Sequence, residues 1–313
     1  MAVRITDYMR FQGLTSQYQL LLAEQLKVQK QVSSGKKILV PEDDPSGAAR
    51  AQLFHQEKAA LEQNARNINE ALSWNQSTSS LITQTIHSLQ RAMELAISGG
   101  DGSKAPSDLE AMSFEVNQLL EHLVLLGSES HRGRYILSGT MTDRPAFESD
   151  RDADGRIVSV DYAGNEEVRR TEVARDRVVA YNLLGSNEFG GEYGLFRDTE
   201  ADVDVFETLI NFRDALIAGD TEVITQESVG ELMTAIDHLT QGQAVLGGVQ
   251  SRLLNAIAMN EDHAEDIAGN LSKIEETDIA EAAIRLASLS ASYQAALAIG
   301  AKIMQNSLLD YIR

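Results

Sequence analysis

Asp150-Arg-Asp152-Ala-Asp154-Gly155-Arg-Ile157 places carboxylates at alternate positions, and Asp161 follows at eleven residues from Asp150. This spacing resembles a calcium loop, in which alternating carboxylates wrap one ion while a glycine makes the bend. Its surroundings favour another use. No helical pattern precedes it, the residues after it alternate as in a strand, and the last acid is Asp rather than Glu. Asp-Gly between two strands is hairpin chemistry, so the stretch reads as a turn, with calcium binding as the alternative. The histidines, at 55, 87, 122, 131, 238 and 263, are scattered. His263 has Asp262 beside it and Asp266 three residues on, a two-ligand patch whose ordinary reading is solvated helix surface. The chain has no cysteine, which removes disulfides and thiolate chemistry. No serine or threonine sits in a nucleophile elbow, and no Gly-rich loop follows a strand to cradle phosphate. No catalytic, cofactor-binding or metal residue is assigned, no cofactor is expected, and the chain does not read as an enzyme.

What dominates is the pattern that would position such residues. Phe54, Leu61, Ile68, Asn75, Ile82, Leu89 and Ala96 recur every seven residues, with Ala65, Leu72, Ser79, Ile86 and Met93 between them. A second run passes through Val229, Leu232, Ile236, Leu239, Gln243, Leu246, Gln250, Leu253, Ile257, Asn260, Ala264, Ile267, Leu271 and Ile274. Sustained heptads specify helices that wind around one another. Helices of roughly fifty residues span about 75 Å, so the expected fold is mainly α: an elongated antiparallel helical bundle or coiled coil. The polar seam positions Asn75, Ser79, Gln243, Gln250 and Asn260 read as register devices rather than a buried site. Trp74, the only tryptophan, reads as ordinary packing.

Composition agrees. The chain has 313 residues, 43% hydrophobic but only 5% aromatic, which suits thin bundles of Leu, Ile and Ala. A net charge of −20 argues against nucleic acid and anionic membrane as partners. No cleavable leader and no bilayer-spanning apolar run is visible.

Along the chain, Leu14, Tyr18, Leu21, Gln25, Val28 and Val32 mark a first helix that stops at Ser33-Ser34-Gly35. Lys36 to Val40 reads as an extended link, and Asp44 caps a helix with Pro45 at its first position. That helix ends at Gly99-Gly100. Ser107 and Glu110 form a capping box for a third helix, with its seam at Leu109, Met112, Val116, Leu119, Leu123 and Leu126. Arg134 to Leu137 reads as a strand. Between Thr142 and Arg197 the period becomes that of strands: Arg156–Tyr162 with Val158, Val160 and Tyr162 on one face, Val168–Val173, and Arg177–Tyr181. Helix resumes near Val203, with Phe206, Ile210 and Ile217 on one side, and breaks at Gly219-Asp220. After an interruption near Lys273–Thr277, Asp278 with Glu281 starts a last helix through Ala282, Leu286, Leu289, Tyr293, Ala296, Gly300 and Ile303. The expected domains are 1–45 with 275–313, a terminal pair of helices; 46–141 with 198–274, the long bundle; and 142–197, a small β-rich insertion. Each terminal helix is marginal alone, so both are expected to order fully only in an assembly.

Read as a block, Val32-Ser-Ser-Gly35-Lys-Lys-Ile38-Leu-Val-Pro41-Glu-Asp43-Asp44-Pro45-Ser-Gly-Ala-Ala49 resembles the N-terminal signature of the flagellin superfamily, in the form of its hook-associated branch. Arg4-Ile5-Thr6 is similar to the family's opening. Arg134 to Thr140 followed by Pro145-Ala146-Phe147 resembles the entry to its β domain, with Leu137 where Phe is usual. Asp278-Ile-Ala-Glu-Ala282 and Ser307-Leu308-Leu309-Asp310-Tyr311-Ile312 resemble its C-terminal region.

The resemblance implies a structural subunit of the bacterial flagellum at the junction of hook and filament. Its implied partners are the first hook-associated protein, flagellin, further copies of itself in a ring, and an export chaperone on the C-terminal region. It implies export through the flagellar apparatus and no membrane insertion. It also implies that the terminal helices line an inner tube, which assigns the assembly interface to Leu14, Tyr18, Leu21, Val28, Val32, Leu286, Leu289, Tyr293, Ile303, Leu308 and Leu309. Gly35, Asp43, Asp44 and Pro45 form the interdomain linker. A short filament flagellin is the nearest alternative, and a coiled-coil signalling module a more distant one.

Overall fold

The computed structural model describes the backbone at residues 2–188 and 190–312, and side chains at 9 and 12–302 except 189. Two compact units appear, Met1–Ala60 with Asp262–Arg313, and Leu61–Glu261.

The first unit contains α1 (Ala2–Ser34), the start of α2 (Pro45–Gly99), the end of α6 (Val229–Glu275) and α7 (Ile279–Ile312). Its helix ends follow local chemistry. Gly35 takes φ +69° after α1, the left-handed turn that glycine allows at a helix end. Asp44 Oδ1 accepts the Gly47 N–H at 3.0 Å, capping α2 behind Pro45. Asp278 Oδ1 accepts the N–H groups of Ala280 and Glu281, starting α7.

The second unit is built on the middle of α2 against α6. Two asparagines set their register. Asn260 Nδ2 donates to the Leu61 carbonyl at 2.9 Å, and Asn75 Nδ2 donates to the Leu246 carbonyl at 3.3 Å. Leu61 to Asn75 is fourteen residues, and so is Leu246 to Asn260, so the two helices run antiparallel in one register for two heptads. Between them lie Ile68, Leu72, Ile82 and Leu89 from α2 and Leu232, Leu239, Leu246 and Leu253 from α6. Gln243 is not part of this seam. It is exposed, and Gly242 is buried in its place because Tyr193 and Leu195 fill the space beside that glycine.

Helix α3 (Pro106–Gly127) packs on α4 (Val205–Ala218). Its start is earlier than the Ser107–Glu110 box: Pro106 is the first helical residue, and Asp108 Oδ2 accepts the Ala105 N–H at 3.3 Å. Helix α4 starts two residues inside the expected position, since Val203 belongs to a strand and Asp204 is the cap. Its buried side carries Phe206, Leu209, Phe212 and Leu216, while Ile217 faces solvent. Gly219, at φ +69°, ends it. A short α5 (Thr221–Val223) and a π turn, Ile224–Ser228, lead into α6.

The β layer begins with a two-residue hairpin, β1 (Ser130–His131) and β2 (Arg134–Tyr135), shorter than the strand expected at Arg134–Leu137. Strands β3 (Phe147–Arg151) and β4 (Ile157–Tyr162) are antiparallel, as are β5 (Arg170–Ala174) and β6 (Arg177–Ala180). Strand β8 (Gly194–Asp198) pairs parallel with β7 (Leu184–Asn187) and antiparallel with β9 (Val203–Asp204). Val158, Val160 and Tyr162 do not share one buried face. A bulge opposite Asp150 and Arg151 turns Val158 outward and buries Ile157 with Val160. Phe147, Phe196 and Phe206, with ring centroids 4.9–5.5 Å apart, join the β layer to α4. Arg213, 3% exposed, donates to the Ile157 carbonyl at 2.6 Å and Asn117 Oδ1 at 3.2 Å, tying β4 to α3 and α4.

Candidate assembly interface

Helices α1 and α7 lie side by side and antiparallel. Tyr18 Oη donates to the Ala296 carbonyl at 2.6 Å, Gln25 Nε2 to Ser290 Oγ at 3.3 Å, and Arg285 Nη2 meets Glu24 Oε1 at 2.6 Å. A Cβ at Gly300 would overlap the Tyr18 hydroxyl, so glycine there is what seats the tyrosine. The predicted Leu14, Tyr18, Leu21, Val28 and Val32 lie on the side of α1 that is at least half-covered, as do Leu286, Leu289 and Tyr293 on α7. Ile303, Leu308 and Leu309 lie outside the described side chains, as does the Arg4-Ile5-Thr6 opening.

Burial in this pair is thin. Val28 and Ala282 are the only buried side chains of α1 and α7 among those described. Leu20, Leu22 and Leu26 on α1, and Ile284, Leu297 and Ile299 on α7, are exposed. Sequence reading missed these six because it followed the heptad seam, which the two helices use on each other. They are apolar positions outside that seam.

The linker closes into a joint within the same unit. Lys36 bridges to Glu276, Lys37 N–H donates to the Glu275 carbonyl at 2.5 Å, and Thr277 N–H to the Gly35 carbonyl at 2.9 Å. The segment is therefore tied down through a single antiparallel bridge rather than a free extended link. Glu275 adds side-chain contacts, with Lys36 Nζ at 2.9 Å and His55 Nε2 at 2.7 Å. Partial burial raises the Glu275 pKa, but Lys36 and His55 outweigh it and hold the carboxyl below its ordinary range. Lys27 Nζ at 2.6 Å, with the Leu39 and Val40 N–H groups, holds Asp43 low in the same way. Of the predicted linker residues, Gly35 turns the chain, Asp43 folds the loop onto Lys27, and Asp44 with Pro45 starts α2. Gly47 is a further requirement, since a Cβ there would press on Asp44 and Ile38.

The acidic sites of the second unit serve the backbone. Asp152 Oδ1 accepts the N–H groups of Asp154 and Arg156, and Gly155 turns at φ +81°, so Asp150–Asp154 is a hairpin end. A cleft of about 880 Å³ contains Asp198, Asp204, Glu207, Glu227 and Glu231. Asp198 accepts backbone N–H groups from Gly194, Glu200 and Ala201, Asp204 caps α4, and burial with Glu227 and Glu207 raises the Glu231 pKa. Among the described residues, no three metal-ligating side chains converge, and no helix is long and apolar enough to cross a membrane.

A paired terminal unit, a jointed linker and long antiparallel helices carrying a β layer define a class. Residues 8–142 match the bacterial flagellin N-terminal helical region and residues 229–312 the C-terminal helical region, and the chain belongs to the flagellin family. It is 24% identical to flagellar hook-associated protein 3 of Salmonella typhimurium over 311 residues, covering 93% of this chain and 95% of that protein. It is 33% identical to flagellin of Xenorhabdus nematophila over 115 residues, 36% of this chain and 37% of that flagellin. The chain thus spans little more than a third of that flagellin. The fold is shared with a hook-associated protein described as putative from Vibrio parahaemolyticus (TM-score 0.65, 16% identity, 75% of this chain and 100% of that one). It is also shared with the flagellar junction protein of Legionella pneumophila (TM-score 0.56, 15% identity, 72% and 99%).

Proposed function

We propose that this chain is a structural subunit of the bacterial flagellum, set at the junction of hook and filament. One observation carries the reading. The match to a hook-associated protein runs along nearly the whole of both chains, whereas the match to the Xenorhabdus flagellin stops near a third of each. The chain has no enzymatic role in this reading. Its partners are the first hook-associated protein, flagellin and further copies of itself, and it leaves the cell through the flagellar export apparatus with a chaperone on its C-terminal region. The absence of cysteine suits passage as an unfolded chain.

In the mechanism, α1 and α7 supply the inner wall through Leu14, Tyr18, Leu21, Val28, Val32, Leu286, Leu289 and Tyr293, with Ile303, Leu308 and Leu309 extending it. The exposed Leu20, Leu26, Ile284 and Ile299 then contact neighbours. Apolar burial at about 25 cal/mol per Å² drives the association, against the ordering cost of the terminal helices. Leu289→Asp puts an unpaired charge between the two helices. The expected outcome is loss of the protein from isolated flagella while circular dichroism still shows the central helices; normal incorporation would overturn the placement. The second reading, a short filament flagellin, rests on the 33% identity over 115 residues to a flagellin. Electron microscopy separates the two, because a filament subunit forms long homopolymers.

A further inference from the structure

We infer that the cleft bounded by α4, the π turn and the start of α6 is a binding site for a linear aliphatic polyamine.

The cleft, about 880 Å³, falls in the size range of small-molecule sites. Its acids outnumber the cations that could answer them. Arg197 is the only Lys or Arg bordering it among the described residues, and it is already engaged: it bonds Asp204 Oδ2 at 2.6 Å and the Val160 carbonyl at 3.0 Å. No Lys or Arg occurs in the chain between Arg213 and Arg252. Asp198 and Asp204 hold backbone N–H groups. Glu207, Glu227 and Glu231 hold none. They reach the cleft from the first turn of α4, from the π turn and from the first turn of α6. Among the described residues, none of these three carboxylates has an ion pair or a hydrogen bond. Glu227 and Glu231 are one helical turn apart, a spacing at which like charges destabilise a helix. Burial, then Glu227 and Glu207, raise the Glu231 pKa, so the three charges act on one another.

A hydroxyl gives a second, independent observation. Thr208 borders the same cleft and is only 7% exposed, yet its hydroxyl has no hydrogen-bond partner among the described residues. A polar group so deeply placed is ordinarily bonded. Here it is left for whatever enters the cleft.

The spacing of these groups selects the ligand. Among the described residues, no three metal-ligating side chains converge, so a single metal ion does not satisfy the site. An ammonium group offers three N–H donors. A chain carrying several of them, with methylenes between, can meet separated carboxylates one at a time and give one N–H to Thr208. Ala201 and Val203 border the cleft as apolar wall for the methylenes.

The test uses the purified full chain and spermidine at fixed ionic strength. Calorimetric titration is expected to show one saturable site, and melts a melting temperature that rises with spermidine. Glu207→Gln combined with Glu227→Gln and Glu231→Gln should weaken binding about tenfold or more. The free triple variant should melt at the same temperature or higher, because the repulsion is gone. A control, Glu57→Gln with Glu62→Gln and Glu265→Gln, removes the same charge from exposed positions outside the cleft and should bind as the unmodified chain does. Thr208→Val changes no charge and should weaken binding about threefold. Equal losses in the two triple variants would mean diffuse attraction to a chain of net charge −20 and would overturn the inference. So would undiminished binding by Thr208→Val, no saturable binding at all, or tighter binding of magnesium or trilysine than of spermidine.

Discussion

Glu275 ties three stretches of chain with one residue: its carbonyl takes Lys37, and its carboxylate takes Lys36 and His55. Because its folded pKa lies below the ordinary 4.5, its stabilisation is present above that pH and is lost as pH falls through the lower folded value. Glu275→Gln should therefore lower stability by about 1 kcal/mol near neutral pH. That difference from the wild type should close as pH falls below the ordinary carboxylate value. Thermal melts of both proteins between neutral and acid pH measure it; a gap that widened in acid would contradict the assignment. No sequence pattern pointed to Glu275, since its partners lie 239 and 220 positions away. Asp44 and Asp278 were legible because a cap serves N–H groups only two or three residues on.

The long helices were legible as elements because a heptad repeat states both the period and the buried face. Asn75 and Asn260 were legible as register devices for the same reason, and each reaches a backbone carbonyl of the facing helix. Each also leaves its Oδ1 buried without a partner. Asn260→Leu should therefore be neutral or raise unfolding stability by about 1 kcal/mol, while loosening the specification of register. Urea denaturation measures the stability change; a loss of more than about 1 kcal/mol would mean that the bond to Leu61 outweighs the orphaned oxygen. The β elements were only partly legible. Strands β4, β5 and β6 carry Val and Tyr in short runs, and their positions fell within a few residues of expectation. Strand β7 is Leu-Gly-Ser-Asn, buried throughout, so it shows neither alternation nor strand-forming residues. Only its partner β8 makes it a strand. Ser107 misled as a helix start because proline one residue earlier already sets the helical φ.

The two units differ in how much each buries. The second holds a continuous core that includes Ile82, Leu89, Leu120, Leu123, Phe196 and Phe212, all fully covered. The described side chains of α1 and α7 bury Val28 and Ala282. Apolar burial must offset about 1–2 kcal/mol of backbone ordering per residue, and in the terminal pair it does so narrowly. Amide exchange in the free monomer should then show residues 12–34 and 279–302 on the order of 100-fold less protected than the seam of α2 and α6. Equal protection would remove the argument that the pair orders fully only among neighbours.

Trp74, buried on α2 at 2% exposure, lies beneath the Arg169 guanidinium at 4.3 Å and edge-on to His131 and Tyr181. Three of the groups around this lone indole thus come from the β layer. The molecule carries its own fluorophore at the seat of its β layer. Any lifting of that layer from the helix would wet the indole and shift its emission to the red, even while every helix stayed wound.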